Sequence, residues 1–78
     1  MAIVAYVLIE VAVGKTDAVL EGVRKLEGVT AAHGVTGPYD VIAVAEVADT
    51  AALARLVTGG IHPIPGVLKT TTCLGILG

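Results

Sequence analysis

Apolar positions repeat with one period in some stretches of this chain and with another in others, and the switches mark its elements. Residues Ile3 to Val13 form a β-branched, apolar run that predicts a first strand. Gly14-Lys15-Thr16 interrupts it. From about Thr16 to Glu27 the spacing becomes helical: Val19, Leu20, Val23 and Leu26 share one face. Asp17 in the first turn and Arg24 and Lys25 in the last complement the helix dipole, Glu21 and Lys25 stand four apart, and Gly28 occupies the closing position. Val29 to Thr36 predicts a second strand, Gly37-Pro38-Tyr39-Asp40 a turn, and Val41 to Val47 a third strand. Asp49 or Thr50 is positioned to cap a second helix with Leu53, Leu56 and Val57 on its buried side, ended by Gly59-Gly60. Pro63 and Pro65 separate it from a fourth strand, about Val67 to Leu77.

The resulting order, β-α-β-β-α-β, predicts an α+β, ferredoxin-like domain: a four-stranded antiparallel sheet with two helices on one face. The halves rhyme, since Gly28-Val29 and Gly66-Val67 each lead from a helix into a strand. Strands one and three are expected in the centre because they are nearly all apolar. Strands two and four carry Thr30, His33 and Thr36, and Lys69, Thr70, Thr71 and Thr72, as edges do.

Alternation within the central strands has a further consequence. Ile3, Val7, Ile9 and Val11 point one way, and Val4, Tyr6 and Leu8 the other. In strand three, Val41 and Val47 oppose Ile42 and Val44. Two helices cover one face only, yet both faces are apolar, where a half-open sheet should alternate with polar residues. A second copy packed sheet to sheet would close a dimeric α/β barrel. Burying about 600 Å² of apolar surface per subunit is worth on the order of 15 kcal/mol gross, against association costs of roughly 4–15 kcal/mol.

Composition strengthens that expectation. The 78 residues from Met1 read as one complete small domain, yet 55% are hydrophobic and ten more are glycine. Together these are roughly two thirds, where 45–50% is usual. A domain this small leaves much of its surface exposed when it folds alone. Cys73 is the single cysteine, so no intrachain disulfide is available; it is expected as a small buried residue in a reducing, cytoplasmic setting. His33, His62 and Cys73 share no metal-ligand spacing, and neither metal nor cofactor is expected. Five Lys+Arg against seven Asp+Glu, without a basic cluster, argue against direct nucleic-acid binding. Glu10 interrupts the longest apolar run, so no membrane span is expected.

The most informative chemistry lies in Gly37-Pro38-Tyr39-Asp40. It sets a phenol and a carboxylate at the mouth of an otherwise apolar strand. Such a carboxylate needs water, an N–H donor or a cation. Capping of its own turn and recognition of a ligand both satisfy it.

Ala5-Tyr6-Val7-Leu8-Ile9, Val35-Thr36-Gly37-Pro38-Tyr39-Asp40, Ile64-Pro65-Gly66-Val67 and Thr70-Thr71-Thr72 together resemble the C-terminal effector domain of the Lrp/AsnC, or feast/famine, regulators. That domain is also called RAM, for regulation of amino-acid metabolism. The resemblance covers nearly the whole chain. It implies αβ-sandwich dimers that assemble into octamers or decamers and bind small amino acids between dimers. It transfers a ligand-binding role to Gly37, Tyr39 and Asp40 and to Thr70, Thr71 and Thr72. A zwitterion suits these groups: Asp40 for the ammonium, and the Gly37 and Tyr39 backbone and threonine hydroxyls for the carboxylate. Full-length members carry an N-terminal helix-turn-helix, whereas here Met1 leads directly into strand one. The resemblance therefore implies a stand-alone effector domain, acting through a partner such as a full-length Lrp/AsnC regulator.

Two other classes share the expected fold. Dimeric α/β barrels also host small isomerases and cofactor-free oxygenases, but no base–nucleophile pair is visible among these residues. A purely structural oligomerisation module is the third class. The reading adopted is a non-catalytic, homo-oligomeric amino-acid-binding module of transcription-regulator type.

Overall fold

Alternation and helical spacing produce strands and helices in the order β1 (Ile3–Val11), α1 (Thr16–Arg24), β2 (Val29–Gly34), β3 (Val41–Val47), α2 (Thr50–Arg55) and β4 (Val67–Leu74). A π-helical segment, Leu56–Ile61, continues α2. The computed structural model describes residues 2–76. The sheet order is β2-β3-β1-β4, with every neighbouring pair antiparallel. The architecture is the expected α+β, ferredoxin-like one, with β1 and β3 central.

The helices cover one face. There Ala5, Val7, Ile9, Val41, Ala43 and Ala45 are fully buried, together with Val19 and Val23 of α1 and Ile61 of the π segment. Leu20 and Leu26 pack against this core at partial burial. Register fixes the opposite face. Tyr6 stands opposite Val44 and Cys73, and Leu8 opposite Ile42 and Thr71. Paired residues point the same way, so these side chains share the helix-free side.

The two halves match in backbone detail. Gly28 and Gly66 adopt φ of +98° and +103°, values open to glycine at little cost. Each carbonyl receives an N–H from just beyond a central strand or at its end: Ala12 to Gly66 at 2.8 Å, and Glu46 to Gly28 at 2.7 Å. Each edge strand then shifts register over its second residue, Thr30 in β2 and Leu68 in β4.

Several ends differ from expectation, each for a local reason. β1 stops at Val11, not Val13, because the Ala12 N–H leaves for Gly66 and the Lys15 N–H closes a turn on the Ala12 carbonyl. Val13 is left fully exposed in that turn. α1 ends at Arg24, not Glu27; Lys25 and Leu26 instead bond three residues back, tightening the last turn. β2 ends at Gly34, and Gly37, at φ +139°, breaks the extended backbone that follows. Asp49 rather than Thr50 caps α2, accepting the Ala52 N–H on Oδ1 at 2.7 Å. Gly59-Gly60 does not terminate the second helix. The His62 N–H reaches the Val57 carbonyl five residues back, and the wider turn carries the chain to Ile61. A regular turn would follow Leu56 with Gly60 on the buried side; the extra residue sets Ile61 there. The expected end of β4 at Leu77 lies outside the described residues; the strand runs to Leu74.

Candidate functional site

The β2–β3 connection is closed at its neck, where the Val35 N–H donates to the Asp40 carbonyl at 2.9 Å. Its tip needs glycine for conformation alone. At φ +139° Gly37 is strained for any L side chain, although a Cβ there would meet nothing within 4 Å. Pro38 is exposed beside it.

Asp40 ties this turn to β1. Its N–H donates to the Ile9 carbonyl at 2.9 Å. Its carboxylate Oδ2 accepts the Val11 N–H at 2.9 Å. The β1–β3 ladder ends at Ile9 and Val41, so a side chain takes over as acceptor one step past the last backbone pair. The site is partly buried, and it adjoins the point, between Glu10 and Val11, where the β1–β4 register shifts. Among the described residues only Oδ2 of this carboxylate is engaged. The carboxylate does not cap its own turn, one of the two uses foreseen for it: it caps the end of β1 instead, because the Val11 N–H there has no ladder partner.

Tyr39 leaves the turn in a different direction. Its hydroxyl lies 3.2 Å from Thr71 Oγ1, with either atom able to donate. Thr71 stands opposite Leu8 on the helix-free face. The half-buried phenol thus spans β1 and joins the entry of β3 to β4. The threonine run divides. Thr70 stands opposite Ile9 and Thr72 opposite Val7, on the helix-facing side. Thr70 Oγ1 instead meets His62 Nε2 at 2.8 Å. Of the six residues expected at a ligand site, Gly37, Tyr39, Asp40 and Thr71 gather at one end of the sheet, while Thr70 and Thr72 face the other way.

Other expectations are corrected or completed here. Cys73 is exposed rather than buried, because its register opposite Tyr6 turns it to the open face. His33 lies exposed on the edge strand β2, and His62 is exposed too. Sequence reasoning missed the bonds from Val11 to Asp40 and from His62 to Thr70. The first joins a turn to the end of a strand 29 residues away, and the second joins a loop to a strand; neither leaves a spacing signature.

The family model of the Lrp/AsnC ligand binding domain matches residues 4–76. The chain belongs to this family. Residues matched span all four strands and both helices of the Lrp/AsnC domain. TTHA0845 from Thermus thermophilus superposes with a TM-score of 0.93 at 36% identity, over 97% of this chain and 95% of that one. The hypothetical protein PHS023 from Pyrococcus horikoshii gives a TM-score of 0.88 at 31% identity, over 100% and 93%. A third likeness shows the fold alone. It is the transcriptional regulator NMB0573 from Neisseria meningitidis, solved as its L-Met complex, with a TM-score of 0.85 at 18% identity over 96% of this chain and 50% of that one. No curated protein matches the sequence. No helix among the described residues is long and apolar enough to cross a membrane.

Proposed function

We propose that this Lrp/AsnC domain is a non-catalytic module that binds an amino-acid effector at the Gly37–Asp40 turn and works as a homo-oligomer in transcriptional regulation. The observation that carries the reading is the contact of Tyr39 with Thr71 at 3.2 Å, beside the Asp40 carboxylate with one oxygen engaged. The L-Met complex of the Neisseria regulator supports an amino acid as the ligand class. In this reading Asp40 Oδ1 receives the ammonium. Donors from the turn backbone and the threonine hydroxyls receive the carboxylate. Gly37, Tyr39, Asp40 and Thr71 form one wall; Thr70 and Thr72 contribute from the opposite side of β4 where a further subunit closes the pocket.

A second copy covers the helix-free face, built from Val4, Tyr6, Leu8, Ile42 and Val44, and gives the dimeric α/β barrel. Larger rings, octamers or decamers, place the effector between dimers. In this reading the effect on transcription passes through a partner such as a full-length Lrp/AsnC regulator.

Isothermal titration with the twenty amino acids tests the reading. At least one should saturate, and Asp40→Asn should weaken it. Asparagine keeps an oxygen for the Val11 N–H and removes the charge, so the strand cap survives while the ammonium contact is lost. Flat titrations with all twenty would end the effector reading. Unchanged affinity in Asp40→Asn would end the role given to that carboxylate.

A further inference from the structure

The outer side of an edge strand offers unpaired N–H and C=O groups that another strand can join, and edges carry charge, proline or a bulge against this. β4 has Lys69 and a register shift at Leu68. β2 has only the shift at Thr30, at its entry; from Ala31 to Gly34 its pairing is regular. Between Val29 and Thr36 the chain holds no Asp, Glu, Lys, Arg or Pro. A short uncharged segment of this kind, on an open edge, pairs readily with a copy of itself.

One bond fixes which groups of β2 face outward. The Val35 N–H donates toward the β3 side, to the Asp40 carbonyl at 2.9 Å. Backbone groups alternate along a strand, so His33 and Ala31 also turn to β3, while Ala32 and Gly34 turn away from it. The Ala32 carbonyl thus sits in the middle of the regular open edge. Arg24, the last residue of α1, donates to it from Nε at 3.2 Å and from Nη2 at 2.9 Å. Two donors of the planar guanidinium close on a single oxygen. Arg24 is the one charged residue among the described residues that line the groove along this edge, and it makes no ion pair among them.

We infer that Arg24 is an edge guard: it keeps β2 from accepting a strand of a second copy and confines association of this chain to other surfaces. An incoming strand needs the Ala32 carbonyl for its own N–H and the space that the guanidinium fills. It would have to displace two hydrogen bonds and pack against a charge. The charge that β2 lacks is supplied by the helix packed beside it. This holds whether or not the Gly37–Asp40 turn binds an effector.

Arg24→Met is the test, since methionine keeps an unbranched stem and a high helix propensity while removing every donor. In light scattering of the whole protein from micromolar to millimolar concentration, the variant should grow to about twice the wild-type mass or more. Amide hydrogen exchange gives a readout that loss of a helix-to-sheet tie would not move. The Ala32 and Gly34 N–H groups, open to water in the wild type, should become protected in the variant as concentration rises. Adding Gly34→Pro should return the mass to the wild-type value, because proline removes an outward donor from the edge. Gly34 is not at positive φ, and a Cβ there would come no closer than 3.9 Å to its neighbours. Wild-type mass with unprotected Ala32 and Gly34 amides in Arg24→Met would overturn the inference, whatever its thermal midpoint. So would growth that Gly34→Pro leaves in place, or protection of both amides in the wild-type protein that rises with its concentration.

Discussion

On the helix side of the sheet, Val7 and Ile9 lose all contact with solvent; one residue along the same strand, Tyr6 keeps 43% of its surface exposed. Leu8, Ile42 and Val44 on that second face are only half-buried. The residue types barely differ between the faces. What differs is the cover: α1, α2 and the π segment all lie on one side. Apolar surface buried within the chain stabilises the fold. Equivalent surface left outside becomes a driving force for association. In the proposed dimer, one strand serves both purposes through its alternation.

The sharpest way to break this comparison is to substitute neighbours on β1. Ile9→Ala removes a fully buried side chain and should destabilise the fold by about 2–5 kcal/mol, read from thermal unfolding at fixed protein concentration. Leu8→Asp, one position away, should instead lower the mass seen by light scattering to that of a single chain. A wild-type protein already of single-chain mass at micromolar concentration would remove the distinction, since the open face would then need no cover.

A smaller effect tests how closely the cover approaches. A Cβ on Gly66 would lie 2.7 Å from the Cβ of Lys15 and 3.1 Å from Val19 Cγ2, both on or beside α1. At the matching position, Gly28, the nearest contact is 3.4 Å, to Val47 Cγ1. Both carry the strain of positive φ, about 1–3 kcal/mol for a residue other than glycine. Gly66→Ala adds a backbone-proximal clash that Gly28→Ala does not. Chemical denaturation should therefore rank Gly66→Ala as the more damaging. Equal losses would mean that α1 shifts freely over the sheet.

Residue alternation makes the two faces legible in the sequence alone. The grouping of Val7, Ile9 and Val11 against Tyr6 and Leu8 follows from a period of two, and the helices from a change of period. Element ends are less legible because they are decided by partners distant in sequence. Val13 looks like strand, but the Ala12 N–H is taken by Gly66, more than fifty residues away. Gly59-Gly60 looks like a helix stop, but burial of Ile61 favours a widened turn over termination. The Gly37–Asp40 motif is visible as chemistry, whereas the division of its carboxylate between backbone and solvent is not. Nor does spacing alone say which threonine meets Tyr39; strand register decides that, through Thr71 and Leu8.

The gentlest probe of the open face is Tyr39→Phe. The ring keeps its half-buried place, and only the hydroxyl facing Thr71 Oγ1 is lost. A neutral hydrogen bond is worth about 0.5–1.5 kcal/mol net, and the partial exposure of this pair favours the lower end, because water can replace the lost partner. Fold stability should therefore fall by less than about 1 kcal/mol. If the hydroxyls also hold an effector carboxylate, affinity should fall more than stability does, and Thr71→Val should reproduce that loss. Stability and affinity falling together would make the Tyr39–Thr71 contact a strap across β1 with no separate part in recognition. Affinity falling alone would make the end of the open face, and not merely its apolar centre, the part that reads the ligand.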